Sequence, residues 1–365
     1  MGGENARMKR VMFAFLIVVA GSAFAQAPEH EVRKLADGVY ALVWLPQPHS
    51  EPNSLIIIND SDVVVVDSGM LPSSARVVAS EIQKLTPNPV RYVVNTHWHG
   101  DHIYGNFVYR ELWPGVECIA HPNTRIDAAA QGFAKIPQYV KDNAQTLEVY
   151  RKILKDGKRP DGSIVDAAAR KRGERTLWML EHYDKEIPTV KTMLPNVLVG
   201  DALVLHRGAR TIEVRYLGLG NTRGDLVVWL PNEKIVATGD LVVWPTPYGF
   251  GSYYKDWDAT LEKLAQLGAT TLVLGHGEIQ RDFTYVRTLQ ALLRDMVSRV
   301  AAEVASGASL EDVQKNVTLA DWKQKLAGDD IPRQRSFDAF WVAPAVERAY
   351  RQAKGEPDSQ EVVVR

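Results

Sequence analysis

One cysteine stands in 365 residues. Cys118 therefore has no internal disulfide partner, and its apolar neighbours in "VECIAH" mark it as a small core residue. The same count excludes a lipid-modified N-terminal cysteine. Neither sign of charge is in excess: 43 Lys and Arg against 44 Asp and Glu leave a formal charge of −1. No basic stripe runs along the chain, so a nucleic-acid partner is not expected. Nor is there a membrane-spanning run. The apolar stretch "VMFAFLIVVA" at 11–20 is about half the ~20 residues a bilayer requires.

That stretch follows "MKR" (8–10) and precedes "GSAFAQ" (21–26), the order of a secretory signal: positive start, short apolar run, small residues before a cut. Ala23 and Ala25 place cleavage after Ala25. The expectation is a signal peptide over 1–25 and a soluble mature protein, periplasmic or secreted, with no membrane anchor after cleavage.

Strands are expected at 39–45, 54–58 and 63–66 from their β-branched richness and the polar turns between them. A helix follows over 72–85, then strands at 90–95 and near 116–120. Residues 125–195 change character: charged, helix-prone segments joined by "GKRPDG" predict a helical insertion. Strands resume at 211–217, 226–230, 234–238 and 271–274, with a helix at 258–267. "VVVVDSG" and "KIVATGD" echo one another, each a strand ending at an acidic turn. That echo predicts two related halves packed sheet to sheet with helices outside, an α/β (α+β) class. Beyond 283 the pattern is helical. Ser309 and Asp312 form a capping box, and Phe340, Trp341 and Tyr350 are expected to pack in a core.

The chemistry lies in "THWHGDH" (96–102), where His97, His99, Asp101 and His102 stand within six residues, just beyond a strand. Imidazole nitrogens and carboxylates are zinc ligands, and a loop carried by a rigid sheet is where such sites are assembled. His97 and His99, two apart in an extended loop, point the same way. Asp101 and His102 are offset enough to serve another ion. Further donors follow at other strand ends: Asp240 in "TGD", His276 in the glycine-flanked "GHG", and the glycine-rich turn "GLGNTRGD" (218–225).

The order "THWHGDH", glycine-rich turn, "TGD", "GHG" resembles the metallo-β-lactamase superfamily over about residues 35–280. The resemblance implies an αββα sandwich (residues 30–282) with a one- or two-metal site at the sheet edge, followed by a helical C-terminal extension (283–365). It places His97 and His99 at a first metal and Asp101, His102 and His276 at a second. Asp240 would bridge them, and Asp67 in "DSG" would be a supporting acidic turn. One position departs: the family usually has histidine in "GHT", and here the turn is "GNT" with Asn221. An amide oxygen is a far weaker zinc ligand than imidazole. The expectation is one tight Zn²⁺ on Asp101, His102, Asp240 and His276, with a second ion weak or absent. A subclass of the lactamases works with one zinc after a histidine-to-asparagine change at a different ligand.

The expected reaction is hydrolysis of a small molecule, a cyclic amide or ester such as a β-lactam or lactone. Asp101 is the candidate proton acceptor. Persulfide-oxidising members hold iron at the first site, the one weakened here. Diiron members usually carry glutamate where this chain has His99. Asp240 resembles the family's thioesterases, lactonases and nucleases, and an exported address argues against glutathione thioesters and RNA. Trp98 is expected to wall the pocket and His121 to enter a helix. Tyr248 and Tyr253 are read mainly as loop packing, with an oxyanion donor as the alternative. Two readings from other classes stay open: a redox component, since the chain is also similar to metallohydrolases associated with quinoprotein pathways, and a metal-binding protein without catalysis.

Overall fold

Four consecutive valines, Val63–Val66, show no polar alternation because both faces of their strand are covered. Val64 and Val66 point between two sheets, towards Leu226, Val228 and Val273 of the opposite one. Val63 and Val65 pack outwards on Val78 and Ile82 of a helix. This is a computed structural model, and it describes residues 29–45, 50–160 and 162–356. The segment 1–25, read as a signal peptide, lies outside the described residues.

The first sheet has the order β1 (Glu29–Ala36), β2 (Val39–Leu45), β3 (Ser54–Ile58), β4 (Val63–Val66), β5 (Val90–Val94), β6 (Glu117–Ala120), β7 (Val197–Leu198). The first four strands form an antiparallel meander, and β4 to β7 are parallel. Opposite lies a sheet in which β8 (Ala202–Arg207), β9 (Arg210–Tyr216), β10 (Leu226–Leu230), β11 (Ile235–Val243) and β12 (Thr271–His276) are neighbours in sequence order. Only its last pair, β11 and β12, is parallel. Helices α1 (Pro72–Leu85), α2 (Gly100–Ile103) and α3 (Asn106–Leu112) lie before β6, and α1 and α3 pack on the outer face of the first sheet. The result is the expected sandwich, helix–sheet–sheet–helix.

After α4 (Pro122–Asp127) the insertion forms two long antiparallel helices, α5 (Ile136–Asp156) and α6 (Ala167–Glu186), tied by Asn143 Nδ2 donating to the Leu180 carbonyl at 3.0 Å. Its base packs Phe133 and Ile187 against Leu71, Ile103 and Tyr104. The second sheet is covered by α7 (Tyr254–Gln266) and α8 (Thr284–Ala305). Helices α9 (Leu310–Asn316), α10 (Ala320–Ala327), α11 (Ile331–Phe337) and α12 (Ala343–Ala353) then fold back, burying Phe337, Trp341 and Val346 against Trp257 and Leu293. The Ser309–Asp312 capping box is present.

Several expectations change in detail. Asp240 lies inside β11 rather than after it, because that strand runs five residues beyond the expected 238. Trp341 is fully buried and Tyr350 packs on the same core, but Phe340 is 41% exposed and turns towards the loop carrying Tyr248 and Phe250. The helical pattern near the C-terminus is realised as α11, a π turn at Asp338–Val342, and α12 in succession.

Candidate metal centre

The loop after β5 is held open by an unusual residue. Asp67 has φ of +60°, a left-handed conformation that strains a residue other than glycine. Its carboxylate offsets that strain by accepting from the Thr96 backbone N–H at 2.8 Å and from the Thr96 hydroxyl at 2.9 Å. It also accepts from His102 Nδ1 at 2.8 Å. A carboxylate only accepts, so His102 carries its proton on Nδ1 and presents the Nε2 lone pair. The chain of donors continues. The Thr96 hydroxyl has given its one hydrogen to Asp67, so at 3.1 Å from His97 Nδ1 it accepts, and His97 too presents Nε2. One carboxylate thus sets the tautomer of two histidines. The N-terminus of α1 is served by Glu51, which accepts from Met70 N, Leu71 N and Ser74 Oγ. Burial outweighs those three donors and pushes the Glu51 carboxyl up to about 7.

Four side chains from three separate elements converge: Asp101 and His102 on α2, Asp240 in β11 and His276 at the end of β12. Glycine makes the last approach possible, since a Cβ on Gly275 would lie 2.0 Å from Asp240 Oδ1. Asn53 fastens the turn beyond, donating to the carbonyls of Leu274 and Gly277 at 3.0 and 2.9 Å. Asp101 Oδ2 is 3.2 Å from His102 Nε2 and 3.0 Å from His276 Nε2. Asp240 Oδ1 is 3.4 and 3.6 Å from the same two nitrogens. Donors about 2.0–2.1 Å from a tetrahedral ion stand roughly 3.3 Å apart, so these spacings fit zinc.

The hydrogen-bond balance points the same way. His102 Nε2 and Asp240 Oδ1 are buried and, among the described residues, have no hydrogen-bond partner. Native interiors seldom leave such atoms unmatched, and a cation between them satisfies both. His97 Nε2 stands 2.9 Å from His99 Nδ1 and 3.7 Å from Asp240 Oδ2, so Asp240 faces both histidine pairs. The donors also group a second way, with His97, His102 and Asp240 within 4.8 Å of one another.

Charge follows the geometry. Burial alone would neutralise Asp101 and Asp240, but the two carboxylates raise His102 and His276 against burial, and the positive charge on those rings, which a bound metal would replace, holds both carboxylates below their usual range. Burial, reinforced by the neighbouring His102 and His99, lowers His97 well below an ordinary histidine, leaving it neutral as a metal ligand must be.

Asn221 is fully buried in the turn after β9, where Ser252 Oγ lies 3.5 Å from its Oδ1 and its Nδ2 has no partner among the described residues. The turn is rigid. Asp225 accepts from Thr222 N and Oγ1 at 2.7 and 2.8 Å, and Arg223 forks onto Asp127 at 2.9 and 2.7 Å. His121 is the N-cap of α4, accepting from Asn123 N and stacking on Tyr216. Trp98 lines a cavity of about 420 Å³ whose floor includes His99, Asp101 and Asp240. Tyr248 is another wall, 5.4 Å from the His276 ring, whereas Tyr253 meets Arg348. Two wall residues, Tyr139 on α5 and Tyr183 on α6, escape sequence reading because only the fold brings the insertion to the metal loop.

The Metallo-beta-lactamase superfamily model matches residues 50–276. The chain belongs to this superfamily. A metallo-beta-lactamase from Pontibacter korlensis has the same fold, with a TM-score of 0.51 at 20% identity over 73% of this chain and 99% of that one. A linear primary-alkylsulfatase of Pseudomonas sp. (strain ATCC 19151) is 23% identical over 250 residues, 65% of this chain and 44% of the relative. A metallo-beta-lactamase type 2 from Bacillus cereus is 34% identical over 91 residues, 23% of this chain and 36% of the relative. The chain thus spans less than half the length of these two curated relatives.

Proposed function

We propose that the protein is an exported zinc hydrolase acting on a small cyclic amide or ester, a lactone or β-lactam-like ring. The observation that carries this is the pair of unmatched buried atoms, His102 Nε2 and Asp240 Oδ1, the second of them on a residue that lines a substrate-sized cavity. Asp101, His102, Asp240 and His276 would hold one tight ion. His97, His99 and Asp240, with Asn221 as a poor fourth donor, would hold a second ion weakly or not at all. Bound zinc would lower the pKa of water towards ~7 and polarise the scissile carbonyl.

The chain's own residues supply the rest. Asp67 keeps the lone pairs of His102 and His97 aimed inwards. Asp101, the more exposed of the two carboxylates that line the cavity, is positioned to take the proton released as water attacks. Trp98 and Tyr248 exclude bulk water from one side each. Export is supported by the signal-like sequence of residues 8–26.

The test is turnover of a panel of lactones, β-lactams, simple esters and an alkyl sulfate by zinc-loaded protein. Hydrolysis of a lactone or lactam should stop with a chelator and return with zinc. Turnover of the sulfate ester alone, or of nothing with zinc fully bound, would sink this reading.

A further inference from the structure

The helical insertion and the C-terminal extension both reach the cavity over the metal loop. Six rings wall it: Trp98, Tyr104, Tyr139, Tyr183, Tyr248 and Phe250. Tyr139 and Tyr183 come from α5 and α6, on opposite arms of the insertion. Tyr104 is fixed, its hydroxyl donating to the Gly132 carbonyl at 2.9 Å. Phe340 from the C-terminal π turn braces the far wall, with its ring 5.6 Å from Tyr248 and 5.9 Å from Phe250. Among the described residues lining the cavity there is no Lys or Arg.

We propose that this cavity binds a flat, uncharged aryl group on the substrate, and that Tyr139 and Tyr183 set that preference. Ring faces and edges reward an aromatic guest beyond its buried area. A carboxylate, phosphate or sulfonate remote from the reacting bond meets no Lys or Arg among the residues lining the cavity. Rings alone also attract a quaternary ammonium. The two carboxylates that would strengthen that attraction are, however, turned towards His102 and His276 and away from a guest, and as ligands they would spend their charge on the bound ion. The cavity, about 420 Å³, lies at the small end of ligand sites, which suits a fused two-ring group and excludes a polymer. The reaction assigned to such a substrate rests on the hydrolase reading; the binding preference does not.

The test is calorimetric titration of the zinc-loaded protein with three matched ligands: 2-naphthylmethanol, 2-naphthalenesulfonate and 2-naphthyltrimethylammonium. The neutral ligand should bind about tenfold more tightly than either charged one. Tyr139→Ala and Tyr183→Ala, both at half-buried positions, should each weaken it about five- to tenfold. Tyr183→Phe should keep wild-type binding, because the ring and not the hydroxyl makes the wall. With 2-naphthyl acetate as substrate, the two alanine variants should raise KM and leave kcat within about twofold. Equal or tighter binding of a charged ligand, or alanine variants that bind like wild type, overturns the proposal. Neutral-aryl binding without turnover of any ester would remove the hydrolase reading and leave the aryl site standing. Turnover with a preference for anionic esters would do the reverse.

Discussion

Asp240→Ala is expected to abolish tight metal binding and to lower kcat/KM by more than about 100-fold. That figure is the upper end of what losing an outer hydrogen-bond partner of a ligand costs, and Asp240 is placed closer than that. Its Oδ1 faces His102 and His276 and its Oδ2 faces His97, so one substitution removes a donor from both halves of the centre. Asp240→Asn, which keeps the side-chain shape, should lose metal in the same way, because the missing element is the anionic charge. Circular dichroism should show both variants folded. The check is metal content after dialysis, alongside turnover. A variant that keeps one ion per chain at wild-type affinity would place the ion elsewhere.

Asp67→Asn should weaken metal binding about 10- to 100-fold while leaving the ligands themselves in place. The physical reason is a conflict over one oxygen. Asp67 serves the Thr96 backbone N–H with Oδ1 and His102 Nδ1 with Oδ2. An asparagine has one acceptor oxygen, and the backbone N–H cannot change its proton. The amide therefore presents N–H to His102, which must move its own proton from Nδ1 to Nε2, into the metal position. Asp67→Ala should be worse for folding, since it leaves the Thr96 N–H buried without a partner at a cost of about 1–3 kcal/mol. A competition titration against a chelator measures the first effect and chemical denaturation the second. In Asp67→Asn, excess zinc should restore full occupancy, which separates it from Asp240→Ala. An Asp67→Asn protein with unchanged zinc affinity would mean that the His102 tautomer is set by something else.

What the sequence made legible follows burial. Strands β3, β4, β10 and β11 carry continuous apolar runs because they are covered on both faces, and they stood out without alternation. Strand β1, "EHEVRKLA", and strand β8, with alternate residues exposed, are edges with little apolar signal, and neither was expected from the sequence. The metal ligands were visible because four donors crowd into six residues and the others follow strand ends. Glu51 was not visible: it caps a helix about twenty residues downstream, a tertiary contact with no local pattern. The aromatic wall was hidden for a related reason. Tyr139 and Tyr183 stand on charged, half-exposed helices, and only the packing of the insertion on Leu71, Ile103 and Tyr104 brings them together.

The central claim is an asymmetric centre: one strong position on Asp101, His102, Asp240 and His276, and a weak one beside Asn221. Elemental analysis of protein purified without added metal tests it most directly, with Asn221→His measured in parallel. The account predicts about one zinc per chain in the native protein, rising towards two in the variant. Two zinc ions in the native protein, or a variant that gains none, would contradict it.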